Sequence, residues 1–267
     1  IASPILTQKV NFEVIFLLID THVHLNDERL YQDLKLHIQE ANEVNVTKMI
    51  CIGYDIKSSQ KAIEIANQYD GVYASVGIHP SEVKKASIND LDKIAAMLNN
   101  KKVVALGEIG LDYYWDKTFI DLQKEFFIKQ LEIAKKYDKP VIIHMREAAL
   151  DTFDILKQYR LPGVMHCYSG SLEMAHRFID IGMYLGIGGV VTFQNSKEIK
   201  RVVEGIDLKY IVSETDAPYL APVPYRGKLN RPKYIREIVE KIAEIKSVDV
   251  SVVEKQIEEN VKKLFNI

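Results

Sequence analysis

Two histidines one residue apart, His22 and His24 in Asp20-Thr21-His22-Val23-His24, follow the apolar run Val14-Ile15-Phe16-Leu17-Leu18-Ile19. Such a run reads as a buried strand, and side chains at i and i+2 of a strand share a face. Two imidazoles projecting together make a chelate for a divalent transition metal. Taken alone, they fit a hydrogen-bonded pair at a strand end equally well. The remaining donor-type residues separate the two readings, because each of them also follows an apolar run. His79 follows the run 72–76, Glu108 the run 103–106, His144 the run 141–143, His166 the run 163–165 and Asp216 the run 210–213. Five of the seven histidines therefore sit just past apolar runs. Core histidines scattered at random would not choose such positions so consistently.

The elements that must position them are eight apolar runs, the others covering residues 49–52 and 184–187. Helical spacing of apolar residues separates them, over residues 28–44, 58–69, 90–99, 119–137, 148–159, 172–181 and 196–203. Two more helices are expected over 234–245 and 251–265, after a Pro/Gly-rich loop over 218–232. Strands alternating with helices argue for a parallel sheet. Continuous rather than alternating apolar runs fit strands covered on both faces. Eight such units predict an α/β fold of the (β/α)8 TIM barrel type in a single domain, for which a typical length is about 250 residues. The rim at the C-terminal ends of the strands is where active sites of such barrels are built. A doubly wound open sheet is the second choice, but no Gly-x-Gly-x-x-Gly follows the first run. The barrel is assigned to residues 17–267, with residues 1–16 set apart as an N-terminal extension of uncertain origin that matches no targeting pattern.

Four histidines (His22, His24, His144 and His166) and two carboxylates (Glu108 and Asp216) exceed the three protein ligands of a single catalytic zinc. They suit two metals about 3.5–4 Å apart bridged by a carboxylate, and Glu108 is the natural bridge. With no thiolate among the six, Zn, Mn, Mg, Fe and Ni all remain open.

The bulk composition narrows the rest. With 267 residues, 47% of them hydrophobic, the chain can bury one large core. A formal charge of −2 excludes a protein that coats nucleic acid by charge alone, so any such substrate would be held by a local patch or by metal. The two cysteines, Cys51 and Cys167, lie inside apolar runs and read as buried thiols of a reduced, cytoplasmic protein. No run reaches membrane-span length, and a monomer is the default expectation.

These residues together resemble a known family. Thr21-His22-Val23-His24-Leu25, Gly77-Ile78-His79-Pro80, Gly107-Glu108-Ile109-Gly110-Leu111-Asp112-Tyr113, His144-Met145-Arg146, His166-Cys167-Tyr168-Ser169-Gly170 and Glu214-Thr215-Asp216-Ala217-Pro218 look like the TatD family of metal-dependent deoxyribonucleases, within the amidohydrolase superfamily. The resemblance runs from about Leu18 to the C-terminus. It implies that His22, His24, Glu108 and Asp216 hold one metal, and that Glu108, His144 and His166 hold a second. It also implies that His79 and Arg146 meet the substrate phosphate, and that the substrate is DNA, single-stranded or at its ends. One departure is visible: where the family usually reads Arg-Gly-Lys-x-Asn-Glu-Pro, this chain has Arg226-Gly227-Lys228-Leu229-Asn230-Arg231-Pro232.

Physical roles follow. Asp216 would orient a water and take its proton, or act as a ligand only. Arg146, two residues after His144, suits a phosphate bidentately, or pairs with Glu108 or Glu214. His79 would hydrogen-bond a phosphate, protonate a leaving group, or serve structure alone. Glu214 reads as the orienter of a ligand histidine, and Asp112 as a turn residue. Cys167 should turn away from the face that His166 uses. Tyr113, Tyr114, Trp115, Tyr168 and Tyr219 are rim aromatics on which bases of a single strand could stack, with loop packing the commoner role for each ring taken singly. Arg226, Lys228, Arg231, Lys233 and Arg236 form the local basic cluster, as a phosphate track or an ordinary solvated face. The competing readings are a metal-dependent hydrolase of another bond (amide, ester, lactone or acyl-tRNA) on the same barrel, and a barrel kept as a binding module.

Overall fold

The computed structural model describes residues 17–267. Its strands are β1 Leu18–Val23, β2 Val46–Ile52, β3 Val72–Val76, β4 Val103–Asp112, β5 Val141–Arg146, β6 Gly163–Met165, β7 Met183–Ile187 and β8 Ile211–Ser213. They form one sheet in sequence order, every neighbouring pair parallel. The helices are α1 Glu28–Tyr31, α2 Leu34–Glu43, α3 Ile56–Gln68, α4 Asp90–Met97, α5 Ile120–Lys136, α6 Ala149–Tyr159, α7 Leu172–Asp180, α8 Lys197–Gly205, α9 Ile235–Lys246 and α10 Val250–Phe265. This is the expected (β/α)8 TIM barrel.

The seam between β8 and β1 closes through specific bonds. Thr21 Oγ1 donates to the Ser213 carbonyl (3.0 Å) and Ser213 Oγ to the Ile19 carbonyl (2.9 Å). Just above, Asp216 N–H donates to the His22 carbonyl (2.9 Å) and His24 N–H to the Ala217 carbonyl (2.8 Å). The bonds that close the barrel thus also bring the two ends carrying His22, His24 and Asp216 side by side. Buried Asp20 reinforces the seam, accepting from the Thr215 N–H (2.9 Å) and hydroxyl and from the His22 N–H (3.2 Å).

The core fills the barrel and the layer between strands and helices. On α5, Phe126, Phe127, Leu131 and Ala134 are buried against it, and each phenylalanine contributes about 1.5–3 kcal/mol by leaving water. The same buried face carries two glutamines seven residues apart, Gln123 and Gln130. Both carry out backbone pairing: Gln130 exchanges hydrogen bonds with Ile78 N–H and C=O (2.8 and 3.0 Å), and Gln123 with those of Asp112 (2.9 and 3.0 Å). Helix α5 thereby fixes the ends of two strands that carry site residues.

Several expected boundaries move. The first strand, expected over 14–19, runs over Leu18–Val23, so His22 lies within it; residues 14–16, like the proposed extension 1–16, lie outside the described residues. β4 and β5 continue past their apolar runs to Asp112 and Arg146, because ladder pairing of Gly110 with His144 and of Asp112 with Arg146 carries on into the polar residues. The single helix expected over 28–44 is two, since Asp33 adopts a non-helical conformation (φ −118°, ψ 33°), in keeping with the preference of Asp for caps and turns. Helix α3 starts two residues early, where Asp55 and Ser58 form a reciprocal capping box.

Candidate metal centre

The barrel mouth gathers every expected donor. Glu108, on β4, is buried with its two oxygens facing different histidines. Oε2 lies 3.6 Å from His22 Nε2; Oε1 lies 2.9 Å from His144 Nδ1, 3.6 Å from His79 Nε2 and 3.8 Å from His166 Nε2. Asp216 Oδ1 lies 3.4 Å from His24 Nε2, 3.8 Å from His22 Nε2 and 3.9 Å from His166 Nε2. The His22 and His166 rings stack with centroids 3.4 Å apart. Among the described residues, four donor sets have all their ligand atoms within 4.8 Å: three at the mouth, His22, His24 and Glu108; His22, His166 and Asp216; and His79, Glu108 and His144; and one behind it, His166, Cys167 and Glu214. The sets at the mouth overlap through His22 and Glu108, and Glu108 is also the residue common to the two metal sets that the family resemblance implies.

Does this set fit a metal? His22 is completely buried, and neither of its ring nitrogens has a hydrogen-bond partner; His24 Nδ1 is also buried and unpartnered. Leaving such a group unpaired costs about 1–3 kcal/mol. A cation among imidazole nitrogens and carboxylates satisfies the lone pairs of the clustered donors, and the all-nitrogen-and-oxygen set suits Zn, Mn, Fe, Ni or Mg. The residues fit.

Two carboxylates behind the donors fix the rings. Glu214, fully buried, lies 2.9 Å from His166 Nδ1 and accepts the Cys167 N–H (2.6 Å), as expected of it. Asp112 lies 2.9 Å from His144 Nε2 through Oδ2, while Oδ1 accepts the N–H groups of Tyr114 (2.9 Å) and Trp115 (3.3 Å). Reading Asp112 as a turn residue alone is therefore incomplete. Its position four residues after Glu108 on a strand, hence on the same face, was the available signal. Carboxylate–histidine pairs of this kind orient ligand rings. Gly110 (φ +145°) lets β4 approach β5, because a Cβ there would meet the His144 carbonyl at 2.0 Å.

The charges are coupled. Burial pushes Glu108 up, but His79, His166, His144 and His22 outweigh it and hold its carboxyl well below the usual range. Asp216 is likewise held down, burial being overcome by His24, His166 and His22. Burial and the neighbouring His166 push His22 down, so its ring is neutral and free to donate a lone pair. In the metal-free protein His166 is pushed up to about 10: burial opposes its charge, but Glu214, Glu108 and Asp216 prevail. His79 is pushed down to about 3, by burial and by His144. Ser81 N–H donates to its Nδ1 (3.1 Å), so Nε2 carries the proton and faces the mouth as a neutral N–H donor.

Arg146 is at the exposed edge, its guanidinium 3.8 Å from the Tyr114 ring centroid, and makes no ion pair with Glu108 or Glu214 among the described residues. A cleft of ≈ 510 Å³ opens over the donors and is lined by His79, Arg146, Trp115, Tyr54 and Tyr219 among others. Among these, Tyr54 had no sequence signal.

Contacts bear on three of the sequence readings. In the basic cluster Arg231 (3.1 Å) and Lys233 (2.9 Å) both pair with Glu40 of α2 and Arg236 sits 3.7 Å from Glu254, while Arg226 and Lys228 are exposed and make no ion pair among the described residues. Arg231, where the sequence departs from the family pattern, thus has an acid partner on α2. Tyr113 and Tyr168 take the loop-packing role, their hydroxyls donating to Asp151 (2.8 Å) and to the Ser171 carbonyl (2.7 Å). Strand alternation does not govern Cys167, because β6 ends at Met165; Cys167 (φ +43°) lies close to His166 and Glu214. Burial pushes its thiol well above the ordinary value, so it offers no thiolate.

Among the described residues, no helix is long and apolar enough to cross a membrane. The family model for TatD related DNase matches residues 19–266. A metal-dependent hydrolase of Bacillus subtilis named YabD is 41% identical over 254 residues, covering 94% of this chain and 100% of that protein. YcfH of Escherichia coli, also named a metal-dependent hydrolase, is 34% identical and covers 94% and 96%. The crystal structure of YjjV, a TatD homolog from Escherichia coli, superposes with a TM-score of 0.90 at 31% identity, covering 94% of this chain and 98% of that one. The chain belongs to the TatD related DNase family and is a metal-dependent hydrolase.

Proposed function

We propose that this hydrolase is a deoxyribonuclease that cleaves phosphodiester bonds of DNA at a two-metal site. The observation that carries the reading is the six-donor mouth, His22, His24, Glu108, His144, His166 and Asp216, with an arginine and a neutral imidazole N–H beside it. When bound, a pair of divalent cations would polarise a phosphoryl oxygen and bring the pKa of water toward neutrality.

The protein's own groups do the rest. Asp216, ionised, orients a water by hydrogen bonding and takes its proton. Arg146 offers a planar fork of donors to the non-bridging phosphate oxygens. His79 donates its Nε2–H to a phosphate oxygen; its depressed pKa argues against an imidazolium that protonates the leaving group. Glu214 and Asp112 hold His166 and His144 in place, so little reorganisation is needed as charge develops.

The test is a digestion series on end-labelled single- and double-stranded oligonucleotides, run beside amide, ester, lactone and acyl-tRNA substrates, with Zn, Mn, Mg, Fe or Ni restored to metal-stripped protein. The reading expects phosphodiester cleavage that vanishes without metal and in Glu108→Ala. Turnover of an acyl substrate with none of DNA would overturn it.

A further inference from the structure

Trp115 is the most exposed large apolar side chain among the described residues, at 73%. Leaving that much aromatic surface in water is unfavourable, and the protein has built a support for it. Asp112 Oδ1 anchors the backbone of the 112–115 turn, the Tyr114 ring meets the indole edge-on at 4.8 Å, and the Arg146 guanidinium sits over the Tyr114 ring. The indole is a shared wall: it lines the cleft over the metal donors and also a side pocket of ≈ 150 Å³ whose other walls include Pro80, Val83 and Phe119 together with Lys84 and Asp116. Of the other rim rings, Tyr113 and Tyr168 are hydrogen-bonded and the Tyr219 ring carries the Arg29 guanidinium at 4.5 Å; Arg146 also lies 5.2 Å from the indole centroid, so a cation already flanks the ledge.

We propose that Trp115 is a stacking ledge for one unpaired nucleobase of the strand whose phosphate lies at the metal centre; this rests on the nuclease reading above. A flat, exposed indole beside a cleft that ends in Arg146 matches a base joined to a phosphate. Any base has a face to offer, so the ledge is tolerant of sequence. A duplex has its bases already stacked and paired, so the ledge selects single strands or frayed ends. Because Asp112 holds the ledge with one oxygen and His144 with the other, Trp115 is a binding residue whose support is continuous with a metal-donor ring.

Trp115 is the chain's single tryptophan, so its fluorescence reports the contact directly, without metal and without turnover. Metal-free protein is titrated with a short single-stranded oligothymidine, a fully abasic strand of the same length, and the corresponding duplex. The ledge predicts strong quenching by the first and little by the other two. In the metal-loaded enzyme, Trp115→Ala raises KM for the base-bearing strand about tenfold, Trp115→Phe restores most of it, and on the abasic strand Trp115→Ala and wild type are equal. Equal quenching by base-bearing and abasic strands, or an unchanged KM in Trp115→Ala, overturns the proposal. Cleavage of DNA without base-dependent quenching sinks the ledge and leaves the nuclease reading intact. Base-dependent quenching without phosphodiester cleavage does the reverse.

Discussion

Adding a single methyl group at Gly186, a residue that is not a metal donor, should loosen the metal centre. A Cβ there would meet Glu214 Oε2 at 2.3 Å and Cδ at 2.8 Å. Regaining an ordinary 3.4 Å contact from 2.3 Å requires the carboxylate to withdraw by about 1.1 Å. Glu214 has no slack: it is fully buried, and its Oε1 lies 2.6 Å from the Cys167 N–H donor and 2.9 Å from His166 Nδ1. Hydrogen bonds stretched to about 3.6 Å are lost, so a shift of that size breaks the Cys167 N–H bond and withdraws the carboxylate from its close charge contact with the His166 ring. Loss of such an orienting carboxylate typically lowers metal affinity about 10- to 100-fold, and overpacking costs about 1–3 kcal/mol. Gly186→Ala should therefore show both changes, with affinity read by competition against a chromophoric chelator and stability by urea unfolding of the metal-free protein. Glu214→Gln, which keeps the volume, should reproduce the loss of affinity. If Gly186→Ala unfolds more easily yet binds metal as wild type does, then Glu214 is packing and does not orient His166.

Metal uptake should release a proton. His166 is protonated in the metal-free protein, with its pKa at about 10, and must shed that proton to coordinate. That raised value stabilises the metal-free fold fully below about pH 6.5, the unfolded value, and the contribution fades as pH rises through about 10. Titration calorimetry at pH 8 in buffers of different ionisation heat should find at least one proton released per chain, since at His144 too burial opposes the charge but Asp112 and Glu108 outweigh it and raise the pKa; none released would contradict it. Gln130→Leu should destabilise the protein by about 2–4 kcal/mol, because it leaves the Ile78 N–H and C=O unpaired; a loss under about 1 kcal/mol in urea unfolding would mean that another group takes over the brace. Arg231→Ala should cost no more than about 1 kcal/mol and leave DNA affinity and its salt dependence unchanged, since Arg231 is engaged by Glu40. A several-fold weaker binding would return it to the phosphate track.

The donors were legible because two periodicities met. Apolar runs set the strands, and the polar residues ending those runs fall on one rim in any parallel barrel. His22, His24, Glu108, His144, His166 and Asp216 were found in that way, and Glu214 by its same-face spacing from Asp216. Asp112 escaped because β4 was expected to stop at Leu106, which hid that Glu108 and Asp112 share a strand face. The glutamines of α5 escaped for a different reason: a buried amide pairing with a distant backbone leaves no local pattern. The same holds for Glu40, whose partners lie about 190 residues away along the chain. Runs of basic residues look free in one dimension; tertiary pairing decides whether they are.

The most direct measurement is the anomalous scattering of crystals grown with manganese or zinc. Two peaks inside the ring formed by His22, His24, Glu108, His144, His166 and Asp216, with Glu108 touching both, are what this account requires. An empty mouth at saturating metal, or peaks held by other residues, would contradict it.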